Sequence, residues 1–296
     1  MTEKPETEAP ETSEKQDAAA APTEDAKPKK EKKEESLLSF SLFLVKLAVI
    51  VLIFRSVVAA PFSIPSESMV PRLLEGDHLI ASKWSYGVSN NSLPFGWAPF
   101  PDGRLFASQP ERGDVVIFKH PISGEDYIKR TIGLPGDTIQ MQAGVLLING
   151  NPVPKERVSD LVVEISPYMQ CGSGTSELET DGTLVCRLER YRETLPNGAT
   201  YNVLDDGMSA GDNTQEFTVP EGQLFVMGDN RDHSLDSRWA ASVDRNGGGQ
   251  AVGIIDQDLL VGKAQFMMWS TDGGAEWYLP WTWFTNTRWN RIGGGI

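Results

Sequence analysis

Histidine and cysteine are scarce in this chain of 296 residues, with three of the first and two of the second. Cys171 and Cys186 have no histidine nearby, so a zinc site of the Cys/His kind is excluded. Serine hydrolysis of the triad kind must draw its base from His78, His120 or His233. Positive charge is also in deficit: 27 Lys and Arg stand against 41 Asp and Glu, giving a net charge of −14. That balance argues against nucleic acid as a partner, because its recognition requires a basic surface. There is no internal repeat, and helical periodicity is confined to one apolar segment.

Residues 1–36 hold Glu, Lys, Ala, Pro and Thr with almost no large apolar side chains. Such a segment buries too little surface to offset its ordering entropy and reads as a disordered tail. Composition then inverts over 37–60, LLSFSLFLVKLAVIVLIFRSVVAA, a run long enough for a hydrocarbon core that takes about 20 residues. Lys46 and Arg55 interrupt it and must snorkel to opposite interfaces. Val58-Ala59-Ala60 looks like a signal-peptide cleavage site, but the preceding tail is long and the apolar run exceeds an ordinary h-region. Lys27, Lys29, Lys30, Lys32 and Lys33 crowd the N-terminal flank, which the positive-inside rule assigns to the cytoplasm. The expectation is one transmembrane helix over 37–60, with 61–296 exported to a periplasm or equivalent space. An oxidising compartment permits a Cys171–Cys186 bridge, although spacing alone leaves two separate thiols as the alternative.

The exported part reads as mostly β, an antiparallel sheet domain with a smaller β-rich insertion over about 150–213. Strand-like runs recur at His78–Lys83, Gly113–Lys119, Tyr127–Ile132, Val145–Ile148, Leu161–Ile165, Leu184–Leu188, Gln223–Met227 and Leu260–Phe266, punctuated by turn formers. Asn149-Gly150 after an apolar run is the strongest hairpin signal. Ser85–Arg112, with Trp97 and Phe100, reads as a long loop. Trp269, Trp277, Tyr278, Trp281, Trp283, Phe284 and Trp289 make the C-terminal region aromatic, which suits a membrane interface or a packed core equally.

Three stretches carry chemistry. Pro65-Ser66-Glu67-Ser68-Met69-Val70-Pro71 puts serines in a turn close behind the apolar segment, and serine needs an activating base. His233, in a dense polar loop, is the only serious histidine candidate. Lys129, in Asp126-Tyr127-Ile128-Lys129-Arg130, is the other candidate, since burial among apolar neighbours lowers a lysine pKa. Most strand lysines are simply solvated. Gly228 to Arg238 is a polar loop after an apolar strand. Arg231 stands where a calcium loop needs an oxygen ligand, so ion pairing of Asp232 or Asp236 with Arg231 or Arg238 is the structural alternative.

Four runs in this order resemble bacterial type I signal peptidases: Pro61 to Met69 with Pro71 and Gly76-Asp77; Arg112 to Phe118; Tyr127-Ile128-Lys129-Arg130 with Gly133-Leu134-Pro135-Gly136-Asp137; and Gly228 to Arg238. The resemblance runs from about Arg55 to Arg291-Ile292-Gly293-Gly294. It implies Ser68 as nucleophile and Lys129 as general base. Ser66 would complete an oxyanion hole with the Ser68 N–H, and Ser234 would orient the lysine. Asp229, Asp236 and Arg238 would provide structural support. Phe62, Ile64, Met69 and Ile128 are candidates for the walls of shallow substrate pockets taking small side chains. The implied activity is removal of signal peptides from exported preproteins at a bacterial inner membrane, without a metal or organic cofactor. A self-cleaving Ser/Lys regulatory protease and a non-enzymatic membrane-anchored binding protein are the rivals. Glu67, where a small residue is common, and His233, where Asn is frequent, depart from the family pattern; neither removes a catalytic group.

Overall fold

The computed structural model describes residues 37–92, 103–172, 174–243, 250–276 and 278–296. The expected tail 1–36, together with Trp97, Phe100 and Trp277, lies outside the described residues. Helix α1, Leu37–Ile53, has 17 residues and exposes its large apolar side chains. At 1.5 Å per residue it covers about 25 Å, short of a hydrocarbon core of about 30 Å. Among the described residues no helix is by itself long and apolar enough to cross a membrane. Five π-helical residues, Phe54–Val58, continue α1, and Ala59 and Ala60 already belong to a strand. The helical stretch therefore stops two residues before the end expected from composition.

Lys46–Ile296 is one compact unit built on antiparallel strands. Its main sheet comprises β1 (Ala59–Ser63), β2 (Asp77–Ser82), β3 (Val115–Lys119), β4 (Asp126–Gly133), β5 (Gln223–Met227), β6 (Ile255–Asp256) and β7 (Leu260–Ser270). The spatial order is β1-β2-β7-β3-β4-β5-β6. Side chains alternate across a strand. On β3 this sends Val115 and Ile117 into one apolar cluster and Val116 and Phe118 into another. Both faces of the sheet are thus covered, and polar groups on its central strands are drawn out of water.

Smaller antiparallel sheets surround this one. Within 150–213, Lys155–Arg157, Arg190–Thr194 and Thr200–Leu204 form one sheet, and Leu161–Glu164, Leu184–Leu188 and Thr175–Leu178 form another. Leu195, Tyr201 and Val203 share a core with Ile132, Phe225 and Met227 of the main sheet, so this stretch is packed onto the main sheet. Asn149 and Gly150 both take positive φ, 54° and 73°, closing the expected two-residue hairpin with Ile148 opposite Asn151. Cys171 and Cys186 are joined in a disulfide with Cα atoms 5.3 Å apart. Cys186 packs with Val70 and Leu74, so the bridge lies beneath the chain that leaves the Ser68 turn.

Candidate active site

Three elements meet at Ser68. Ser66 is extended, with φ −147° and ψ 157°, and leads into a single 3-10 turn, Glu67–Met69. Met69 and Val70, both closed to solvent, anchor that turn in two apolar clusters. The Asn230 N–H donates to the Ser68 carbonyl at 3.1 Å, tying the turn to the polar loop after β5. From β4, whose neighbours β3 and β5 fix its register, Lys129 reaches across the interior. Its Nζ donates to Ser68 Oγ at 2.6 Å and to the Ile128 carbonyl at 3.2 Å. Ser66 Oγ lies 3.4 Å from Ser68 Oγ.

Lys129 is 3% exposed and Ser68 8%. Burial pushes the Lys129 ammonium down from its ordinary 10.5 to about 8. Asp236 and then Asp229 oppose that shift, while Arg238 adds to it. Each of the two aspartates is paired with an arginine of its own. Asp229 takes a bidentate pair from Arg130, at 2.7 and 2.6 Å. Asp236 accepts from Arg238 at 2.8 and 3.0 Å and from the Gly228 N–H at 3.0 Å. Burial alone would raise the Asp236 carboxyl, but Arg238, the Gly228 N–H and the Ser234 hydroxyl outweigh it and hold it below 3.8.

Ser234 sits within this cluster, 5% exposed, but its hydroxyl makes no hydrogen bond to Lys129. It faces Asp236 closely enough to favour the carboxylate, without the geometry of a full hydrogen bond. Ile64, Met69 and Ile128 are buried in one apolar cluster, with Phe62 at its edge. Met69 has no exposed surface and packs as core, so it does not form an open wall. The histidines are engaged elsewhere. His233 Nε2 lies 3.3 Å from Asp206, and buried His120 contacts the Ala251 carbonyl at 3.0 Å. His78, on β2, pairs with Ser63. Among the described residues no histidine is hydrogen-bonded to Ser68.

A third buried ion pair was not foreseen from the sequence. Arg231 Nη2 meets Glu193 at 2.5 Å, and the Tyr201 hydroxyl donates to the same carboxylate oxygen at 2.7 Å. Arg130 stacks on the Tyr201 ring, 4.4 Å from its centre. The strands of 190–204 thus brace the polar loop from below, and no local pattern around Glu193 signals this.

Gly228 is the narrowest point of the site. A Cβ there would stand 2.3 Å from Ser234 Oγ and 2.5 Å from the Ser68 carbonyl oxygen. Gly228→Ala must therefore push the Ser68 turn and the polar loop apart. Overpacking of this kind costs about 1–3 kcal/mol, and a 1 Å displacement at reacting groups costs about 100-fold in rate. The expected outcome is a lower Tm with a kcat loss of about that size, read by melting curves and peptide cleavage; an unaltered kcat would contradict the tight fit.

Comparison with known proteins gives the family of this chain. Residues 37–269 match the family model described as "Signal peptidase, peptidase S26". The chain is 38% identical to Signal peptidase I of Rickettsia typhi over 231 residues, covering 75% of this chain and 76% of that one. It is 36% identical to Signal peptidase I of Rickettsia canadensis over 233 residues and 38% identical to that of Rickettsia akari over 233 residues, with the same coverage. A crystal structure of a signal peptidase I from Enterococcus faecalis V583 aligns with 53% of this chain and 97% of its own, at 25% identity and a TM-score of 0.27. On the strength of the family match and the Rickettsia relatives, this chain is a serine peptidase and belongs to the signal peptidase family, peptidase S26.

Proposed function

We propose that this peptidase is a membrane-anchored endopeptidase that cuts signal peptides from exported preproteins after small residues, with Ser68 as nucleophile and Lys129 as general base. The observation that carries the reading is the 2.6 Å contact between the buried Lys129 amine and Ser68 Oγ. Neutral Lys129 takes the Ser68 proton as Oγ attacks the scissile carbonyl, and the proton passes to the leaving amine. Water, deprotonated by the same amine, then releases the acyl group from Ser68. Ser66 Oγ and the Ser68 N–H are assigned to the developing oxyanion, where a donor is commonly worth about 2.7–4 kcal/mol. Asp229, Asp236 and Arg238 hold the loop that fixes the turn. Ser234 supports Lys129 through Asp236, which tunes the amine, since it does not bond the amine itself.

The anchor assigned here is α1 with its π-helical continuation, Leu37–Val58, whose exposed leucines, valines and phenylalanines are compatible with lipid and not with water. The lysines preceding it support the reading that the N-terminus is cytoplasmic and the catalytic region, from Pro61 on, lies across the bacterial inner membrane.

Incubation of the purified full chain with a preprotein bearing an Ala-x-Ala site, in detergent or lipid, tests the reading. Cleavage after the second alanine is expected, and Ser68→Ala should abolish it; cleavage that survives Ser68→Ala would sink the assignment. The pH profile is a second check. With the amine at about 8, kcat/KM should climb with pH through a limb near that value as Lys129 loses its proton. A limb only near the ordinary carboxylate value of about 4 would point to another base.

A further inference from the structure

A second polar site lies on the far side of Arg130. A cleft of about 580 Å³ is lined by Arg72, Arg130, Arg190, Arg192 and Arg291, together with Asn202 and Ile296, whose terminal carboxylate is the one acidic group on a lining residue, since no Asp or Glu lines it. Five guanidiniums around one cleft contrast with a chain of net charge −14. Two of them are neutralised at its border, Arg130 by Asp229 and Arg291 by Asp77. The other three have no carboxylate within ion-pair reach among the described residues. Arg190 donates to the Ser159 carbonyl and hydroxyl, both at 2.9 Å. Arg72 reaches the Gly295 carbonyl. Arg192 is exposed, with no hydrogen-bonding side-chain partner among the described residues. Partial burial and then the like charge of Arg130 depress the Arg72 guanidinium, with Asp229 opposing the shift and Arg291 adding to it.

We propose that this arginine cleft binds a phosphate-class anion. Planar guanidiniums match phosphate oxygens with paired, charge-assisted hydrogen bonds. The Trp289–Arg291 turn that carries Arg291 into the cleft leaves Trp289 exposed beside exposed Phe284. That pairing of arginine with interfacial aromatics suits a lipid headgroup, and a soluble phosphate would present the same oxygens.

The test is calorimetric titration of the full chain in neutral detergent micelles, with inorganic phosphate in one arm and phosphatidylglycerol mixed into the micelles in the other. Saturable binding is expected in at least one arm, weakening with added salt. The exposed double variant Arg72→Gln/Arg192→Gln should lower the affinity about tenfold or more, since two charge-assisted contacts are lost. Arg187→Gln, whose guanidinium is taken by Glu177, should leave it unaltered. Binding of inorganic phosphate assigns a soluble anion, and binding confined to phosphatidylglycerol assigns a headgroup. Absence of saturable binding in both arms, or binding indifferent to the double variant, overturns the proposal.

Discussion

Lys129→Met is expected to abolish peptide cleavage while leaving the fold as stable as before, or more so. Methionine has nearly the same length and fills the same channel through the core, but it carries no proton acceptor of useful strength. General-base assistance is commonly worth about 10²–10⁴ in rate, and Ser68 without a base is a weak nucleophile, so a kcat loss of at least about 10³ is expected. Lys129→Arg should fail comparably, because guanidinium does not deprotonate in proteins. The stability side follows from the sign of the shift. The folded amine, at about 8, binds its proton more weakly than the unfolded one at 10.5. Below pH 8 the native state therefore carries a penalty of roughly 3 kcal/mol, which fades as pH rises from 8 toward 10.5. Lys129→Met removes the penalty, so its Tm near neutral pH should equal or exceed that of the wild type and lose the alkaline rise. Single-turnover cleavage and melting at several pH values measure both halves. Retained cleavage would dismiss Lys129 as the base, and a large fall in Tm would mean that the amine stabilises the core it crosses.

Ser68 and Lys129 each stand out in the sequence, one in a turn-forming run and one in a strand-forming run, but local pattern does not bring them together: most strand lysines are solvated, and the pairing is implied only by the family resemblance. The strands at Val145–Ile148, Leu184–Leu188 and Gln223–Met227 fall where β-branched residues are bounded by turn formers. What stays hidden depends on partners far along the chain. Arg130 and Asp229 are 99 residues apart, and Arg231 and Glu193 are 38 apart. From local pattern Arg231 and Arg238 look interchangeable as partners for Asp232 or Asp236. The fold separates them, giving Arg238 to Asp236 and sending Arg231 to Glu193. Met69 is apolar and adjacent to the nucleophile, which suits a pocket wall as well as a core anchor, and only tertiary packing decides for the core. The end of the helical stretch at Val58 is likewise set by pairing: Ala59 and Ala60 are apolar enough for a helix but are claimed by Ser82 and Ala81 of β2.

Asp236→Asn should separate the two jobs of the polar loop, stability and tuning of the amine. The carboxylate is fully buried and neutralises Arg238, whose side chain is 1% exposed. An amide preserves the shape but leaves Arg238 as an uncompensated buried cation, and breaking a buried pair in this way costs about 3–5 kcal/mol. At roughly 2–4 °C per kcal/mol for a domain of this size, Tm should fall by about 10 °C. In the wild type, the Asp236 carboxyl is held below its unfolded value of 3.8. Its contribution is therefore present above that pH and lost as pH falls through the folded value. The variant should show a flatter acid limb of stability. For catalysis the sign is opposite to simple damage. Among the charges that favour protonated Lys129, Asp236 is the strongest, and the Arg238 charge that disfavours it stays in place. Removing the carboxylate should move the kcat/KM limb below 8, so that the surviving enzyme reaches a larger fraction of its own plateau at neutral pH. Profiles recorded well below the lowered Tm separate this shift from unfolding. A limb left at 8, or moved upward, would show that Asp236 shapes the loop without acting on the amine.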